Sequence, residues 1–433
     1  MPRRAELNNQ ISEEERQSPE KSNNVSYSNG VYLFAALFLC VISSLPLILV
    51  PQNNDINFWE NRNDISAIMG RVVNNIFGFP LISTFHLMFE CKILLKLKSA
   101  LTFQVFGLLY VTKLLGFVIL PNLAMYLIWN IALGNDNVMP FNAYLGLIGF
   151  PIPYIVLWYY YPKEFRFNTR GRRKFRAYLY YKVWRNFAFI PYLLSAIIIR
   201  ILPYKFQWVL AILLPLNKEI DYYLSTKMLS KSIGLLDKSS IASITVTVNS
   251  VNALHVAITI GKKATTFTSC CILAVDFVMN IRSSYKIMRL HNQIETDHLQ
   301  NQKRVFEKKQ ELRKLTLIET VEMMVPISYI MTFLIAYHGP NADLFGNVKA
   351  VDDVGIFVGT VFWMFLVDFS SGIFGGLLLS TSSINLLREG CDMLREYWPI
   401  IGLTVASCLY VVSCFTFIVD MEHYKCLRFD ISD

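Results

Sequence analysis

The sequence predicts an all-α, polytopic integral membrane protein with about eleven transmembrane helices (range nine to twelve) and no soluble globular domain. Three observations predict it. The 433 residues are 54% hydrophobic and only 17% charged, with a mean hydropathy of +0.38. A soluble domain carries about 25% charged residues. Apolar runs of span length alternate with short polar connectors from residue 30 to residue 419. Those runs are continuous, as in 107-GLLYVTKLLGFVILPNLAMYLIW-129, which excludes the period-two alternation of a membrane β-barrel.

The elements follow in chain order. Residues 1–29 are polar and read as a disordered cytoplasmic tail. They contain no apolar signal core, so the first span is expected to act as an uncleaved anchor. The N-terminal membrane region, 30–162, holds apolar windows at 30–50, 66–92, 101–132 and 141–161. The second is the weakest, interrupted by Arg71, Asn74, Asn75, His86 and Glu90. The third is too long for one upright span, and Pro121 would kink or split it. A basic connector, 163–185, follows. Central spans within 186–282 are expected at 187–203, 206–228, 241–260 and 264–282. Residues 283–314 form a charged segment without Gly or Pro in IETDHLQNQKRVFEKKQELRKL, predicting a cytoplasmic helix that runs on into the next span. The C-terminal region, 315–419, holds spans at 315–337, 354–378 and 397–419, before a short external tail, 420–433.

Connector charge orients these spans. The 163–185 connector has nine Lys/Arg against one Glu, and the 282–314 connector has nine against four acids. Connectors 51–64, 134–140 and 339–353 are each net negative. Lys/Arg-rich connectors stay cytoplasmic, and eleven spans place both basic connectors inside and all three acidic ones outside. The N-terminus is then cytoplasmic.

The net charge of +9 concentrates in those two connectors, which argues against nucleic acid as a partner. In 163–185, Arg170, Arg172, Arg173, Lys174 and Arg176 interleave with aromatic residues. That combination fits the bilayer, and anionic lipid headgroups in particular. A homo-oligomer is compatible with the sequence. The eight cysteines form no metal-ligand or disulfide pattern, and no metal or cofactor is expected. There is no P-loop, GxSxG or HExxH motif, so an enzyme is the less favoured class.

Polar residues inside the spans mark the candidate site. An ionisable group at membrane depth costs about 2.5–3.5 kcal/mol on insertion scales, so it faces protein or a hydrated cavity. In 245-TVTVNSVNALHVAITIG-261, Thr245, Asn249, Asn252, His255 and Thr259 share one helical stripe about 120° wide, with apolar residues covering the remainder. The next spans add Asp276 and Asn280, then Glu319 and Glu322, then Asp368 with Ser371. If these converge, they form a polar core able to exchange protons or bind a cation. Glu90, Lys113 and Lys218 lie close enough to span ends to extend toward the interface.

The reading that follows is a transporter or channel for an ion or small solute, with its pathway among spans seven to ten. A chemosensory or signalling receptor would use the same cavity for a ligand. A lipid-modifying membrane enzyme would use His255 as a base.

Overall fold

A computed structural model describes residues 31–40, 79–94, 99–115, 151–160, 167–188, 191–192, 203–233, 238–262, 266–296, 301–338 and 354–419. Among these residues the regular structure is entirely helical. The two tails, the three acidic connectors, Pro121 and most of the expected span 187–203 lie outside them. The helices are α1 (Val31–Cys40), α2 (Phe79–Leu94), α3 (Ser99–Leu114), α4 (Pro151–Tyr160) and α5 (Thr169–Phe187). A 3-10 turn, Tyr204–Val209, leads into α6 (Leu210–Ile233). Then come α7 (Lys238–Lys262), α8 (Thr266–Thr296), α9 (Asn301–His338), α10 (Val354–Ser380) and α11 (Leu386–Val419).

Three of these helices are long and apolar enough to cross a membrane: Ser239–Thr259 within α7, Arg304–His338 within α9, and Val354–Ser380, which is α10. That is fewer than the sequence predicts. The described helices of the N-terminal region, α1 to α4, are between 10 and 16 residues long, and α6 and α8 carry charged residues along their length.

The chain forms two compact units. The second comprises residues 39–167, 328–360 and 403–433. In it α2, α3 and α4 pack in succession. Phe85 and Phe106 meet with ring centroids 4.8 Å apart, and Phe333 stacks on Phe357 at 4.1 Å. Lys113 does not reach outward: it is buried, and its ammonium donates to the Ser83 carbonyl. His86 Nε2 lies 3.1 Å from the Thr404 hydroxyl.

The first unit, residues 1–38, 168–327 and 361–402, holds every predicted site residue. Helix α6 is its hub, packing against α5, α7 and α8. Its buried stripe runs Leu214, Lys218, Asp221, Ser225 and Leu229, at the spacing of one helix face. Helix α10 has a comparable stripe, Val361, Met364, Asp368, Ser371 and Leu379. Its opposite face exposes Phe362, Trp363, Phe369, Ile373, Phe374 and Leu377. A contiguous apolar face of that size suits lipid rather than water.

Helix α7 differs from its sequence reading. The polar stripe does face inward, but so does nearly everything else: 94% of the span is buried. Val246, Val248 and Ala257 are fully enclosed, on sides expected to meet lipid.

The 283–314 segment also differs. It is divided between the end of α8 and the start of α9 rather than forming one helix. Lys286 pairs with Glu311 at 2.6 Å, Lys308 with His291 Nδ1 at 2.8 Å, and Arg304 donates to the Gln293 carbonyl at 3.1 Å. These pairs step in opposite directions along the two helices, so the arms are antiparallel. An apolar cluster of Ile287, Leu312, Leu315, Leu379, Ile384 and Leu386 closes the base.

Candidate functional site

The site grows from the two buried positions on α6 that ought to be apolar. Lys218 and Asp221 are three residues apart and therefore share a face. Each is buried, and a buried charge persists only when paired and hydrogen-bonded. Each finds partners on different helices.

The Lys218 ammonium donates to Glu322 Oε1 at 2.7 Å and reaches Asp276 Oδ1 at 3.5 Å. Glu322 is closed to solvent, while Asp276 is partly open, with side-chain exposures of 1% and 18%. The other Glu322 oxygen accepts from Asn280 Nδ2 at 3.1 Å. The same amide reaches Ser371 Oγ at 3.3 Å. The Ser371 hydroxyl lies 3.3 Å from Glu319 Oε2 and 2.8 Å from the Asp368 carbonyl. Its single proton serves one of these acceptors at a time.

Asp368 is buried within electrostatic reach of Glu319, Glu322, Asp276 and Lys218, and its Oδ2 has no hydrogen-bond partner. One ammonium therefore faces four carboxyl groups contributed by α8, α9 and α10. In a low-dielectric interior four carboxyls beside one ammonium cannot all be ionised, so some of them must hold a proton or meet another cation. Among the described residues, no three His, Cys, Asp or Glu side chains are grouped so as to hold a metal ion.

Local sequence explains the approach of α10. A Cβ at Gly372 would lie 2.9 Å from Glu319 Oε2, and one at Gly375 would lie 2.8 Å from Ser284 Oγ. Glycine at these positions lets a polar group from α9 or α8 sit against the α10 backbone. On α9, Pro326 has no N–H to offer the Glu322 carbonyl one turn earlier. The helix thus loses a bond beside the carboxylate that pairs with Lys218.

Asp221 serves a second constellation. It accepts from Arg185 Nη1 at 2.5 Å, Trp184 Nε1 at 2.9 Å and Ser225 Oγ at 3.3 Å. Arg185 Nη2 also approaches the Thr247 carbonyl at 3.5 Å. Burial works against the Arg185 charge, but Asp221 outweighs it, and the guanidinium is held above its ordinary value. These bonds fasten the C-terminal end of α5 to α6 and α7.

The structure thus brings Asp276, Asn280, Glu319, Glu322 and Asp368 together. The α7 residues lie in other contacts. His255 sits edge-on to Tyr192, with ring centroids 5.5 Å apart. Asn249 Nδ2 donates back to the Thr245 carbonyl at 2.7 Å, and the Oδ1 atoms of Asn249 and Asn252 are buried without a hydrogen-bond partner. In α5, Arg172, Arg173 and Arg176 are exposed and Lys174 is half-buried, while the side chain of Arg170 lies outside the described ones. Lys218 is the residue that sequence reasoning set aside. Its signal was helical phase: Leu214, Lys218, Asp221 and Ser225 fall in register, whereas Glu219 does not and is exposed.

Comparison of the chain with protein-family models, with curated proteins and with solved structures gives no match.

Proposed function

We propose that this chain is an integral membrane protein of about eleven helical spans that moves an ion or small solute, with the Lys218 cluster as its pathway. The observation that carries this reading is the charge imbalance: one buried ammonium shared between Glu322 and Asp276, with Glu319 and Asp368 beside them. A purely structural ion pair needs one partner on each side. The additional buried carboxyls are costly, and Asp368 Oδ2 has no partner to offset that cost.

The arrangement supports proton exchange. A proton or small cation arriving at Glu322 would compete with Lys218. The ammonium then has Asp276 on α8 as its alternative partner, at the more open edge of the cluster. Moving the ammonium from α9 to α8 changes which helices are tied together. That is a two-state element of the kind alternating access requires.

Purified protein in liposomes tests this, with proton flux and a panel of cations measured under imposed gradients. Asp276→Asn, Glu322→Gln and Asp368→Asn are each expected to reduce flux at least about tenfold, the loss of roughly 1.4 kcal/mol of barrier stabilisation. His255→Gln, outside the cluster, is expected to retain flux. Full flux in folded Asp276→Asn and Glu322→Gln protein would rule the pathway out.

A further inference from the structure

Helix α5 contains seven Lys or Arg and no acidic residue in TRGRRKFRAYLYYKVWRNF. The fold sorts these charges by face. Phe175, Ala177, Tyr178 and Tyr181 are buried, and Arg185 turns inward with them onto Asp221. Arg172, Arg173 and Arg176 point out, and Tyr180 and Phe187 share their face, at 59% and 50% exposure. At 100° per residue, these five side chains fall within about 100° of arc. The result is a narrow stripe of guanidinium groups interleaved with aromatic rings on a helix whose other face is anchored.

We infer that the outer face of α5 is a binding surface for the anionic headgroups of membrane phospholipids. Three features of the stripe fit that occupant. Arginine forks match phosphate oxygens bidentately and keep their charge at any physiological pH. Tyr and Phe beside them suit the depth at which headgroup gives way to acyl chain. The Trp184–Asp221 and Arg185–Asp221 bonds hold the helix against α6, so the backbone that carries the stripe is already ordered. A soluble phosphate compound would use the guanidinium groups and have no use for the exposed rings.

The full chain, purified in a neutral detergent, tests this by native mass spectrometry with phosphatidylglycerol and with phosphatidylcholine. Wild-type protein is expected to retain phosphatidylglycerol preferentially. Arg172→Gln/Arg173→Gln/Arg176→Gln should lose at least tenfold of that preference, since each basic residue near an anionic surface contributes about fivefold. The corresponding triple Lys variant keeps the charge without the fork and should retain more of it than the triple Gln variant. Unchanged preference in a monodisperse triple Gln variant would overturn the assignment. So would displacement of the lipid by millimolar inorganic phosphate, which marks a free-phosphate site. Should the triple variant aggregate, Arg176→Gln alone and the salt dependence of wild-type binding decide the question. Binding that is indifferent to both overturns it. These readouts are independent of ion flux, so this surface and the Lys218 pathway stand or fall separately.

Discussion

Removing the Lys218 ammonium leaves Glu322 and Asp276 facing each other without a counter-charge. Lys218→Met is therefore expected to cost about 3–5 kcal/mol of stability, the usual cost of breaking one side of a buried pair. Thermal unfolding in detergent measures it. Lys218→Met/Glu322→Gln should recover part of the loss, because the carboxylate closest to the missing ammonium is then neutral while Asp276 remains. A Lys218→Met protein that melts with the wild type would show that the pair stabilises little. Gly372→Ala behaves differently. Its new Cβ meets the far end of the Glu319 side chain, which can move, so little stability is lost. The displaced carboxylate leaves Ser371, and flux should fall several-fold while the melting temperature stays within a few degrees. At this scale the carboxyls were legible in the sequence because they interrupt apolar runs. Lys218 was not, because a long side chain near a span end has two outlets and only its helical phase distinguishes them.

Helices α8 and α9 join at their polar ends through pairs that are partly or largely in water. Lys286 is 58% exposed, so Lys286→Ala is expected to change stability by under about 1 kcal/mol, in contrast to Lys218. A chemical-denaturation series on the same protein checks both. The antiparallel course of the two helices was not legible in the sequence. The 283–314 stretch has good helix formers throughout, and propensity alone favours continuation. What overrides it is the return of the chain, which pairs Lys308 with His291 and buries Ile287 against Leu312 and Leu315. The stripe on α7 was legible in phase but not in surroundings. Periodicity reports that Asn249, Asn252 and His255 share a side. It cannot report that the apolar sides are enclosed as well, because valine serves equally against lipid and against another helix.

For the whole molecule, the two basic segments provide the test of orientation. Arg172→Cys and Lys286→Cys occupy exposed positions in the 163–185 and 282–314 connectors. With Cys270 and Cys426 replaced by Ser, both new thiols should react with a membrane-impermeant maleimide only after cells are permeabilised. Labelling of one in intact cells would place the connectors on opposite sides and reject the eleven-span topology. The helical class was legible from composition because continuous apolar runs permit little else in a bilayer. The number of spans was less so. Windows containing charges, such as α6, read as spans in sequence yet owe their charged residues to the interior of the first unit.

The enclosure of α7 also bears on how the protein is made. A nascent helix leaves the translocation machinery into lipid, one segment at a time. If α7 is a span, as proposed, Asn249 Nδ2 carries its bond to the Thr245 carbonyl with it, whereas the Oδ1 atoms of Asn249 and Asn252 and the imidazole of His255 meet hydrocarbon, and the stripe is a liability. Packing of α6 against α7 takes the stripe out of hydrocarbon and sets His255 against Tyr192. Biogenesis of such a span is tied to its docking on α6, and a variant that weakens that docking would present quality-control factors with an unmet polar face.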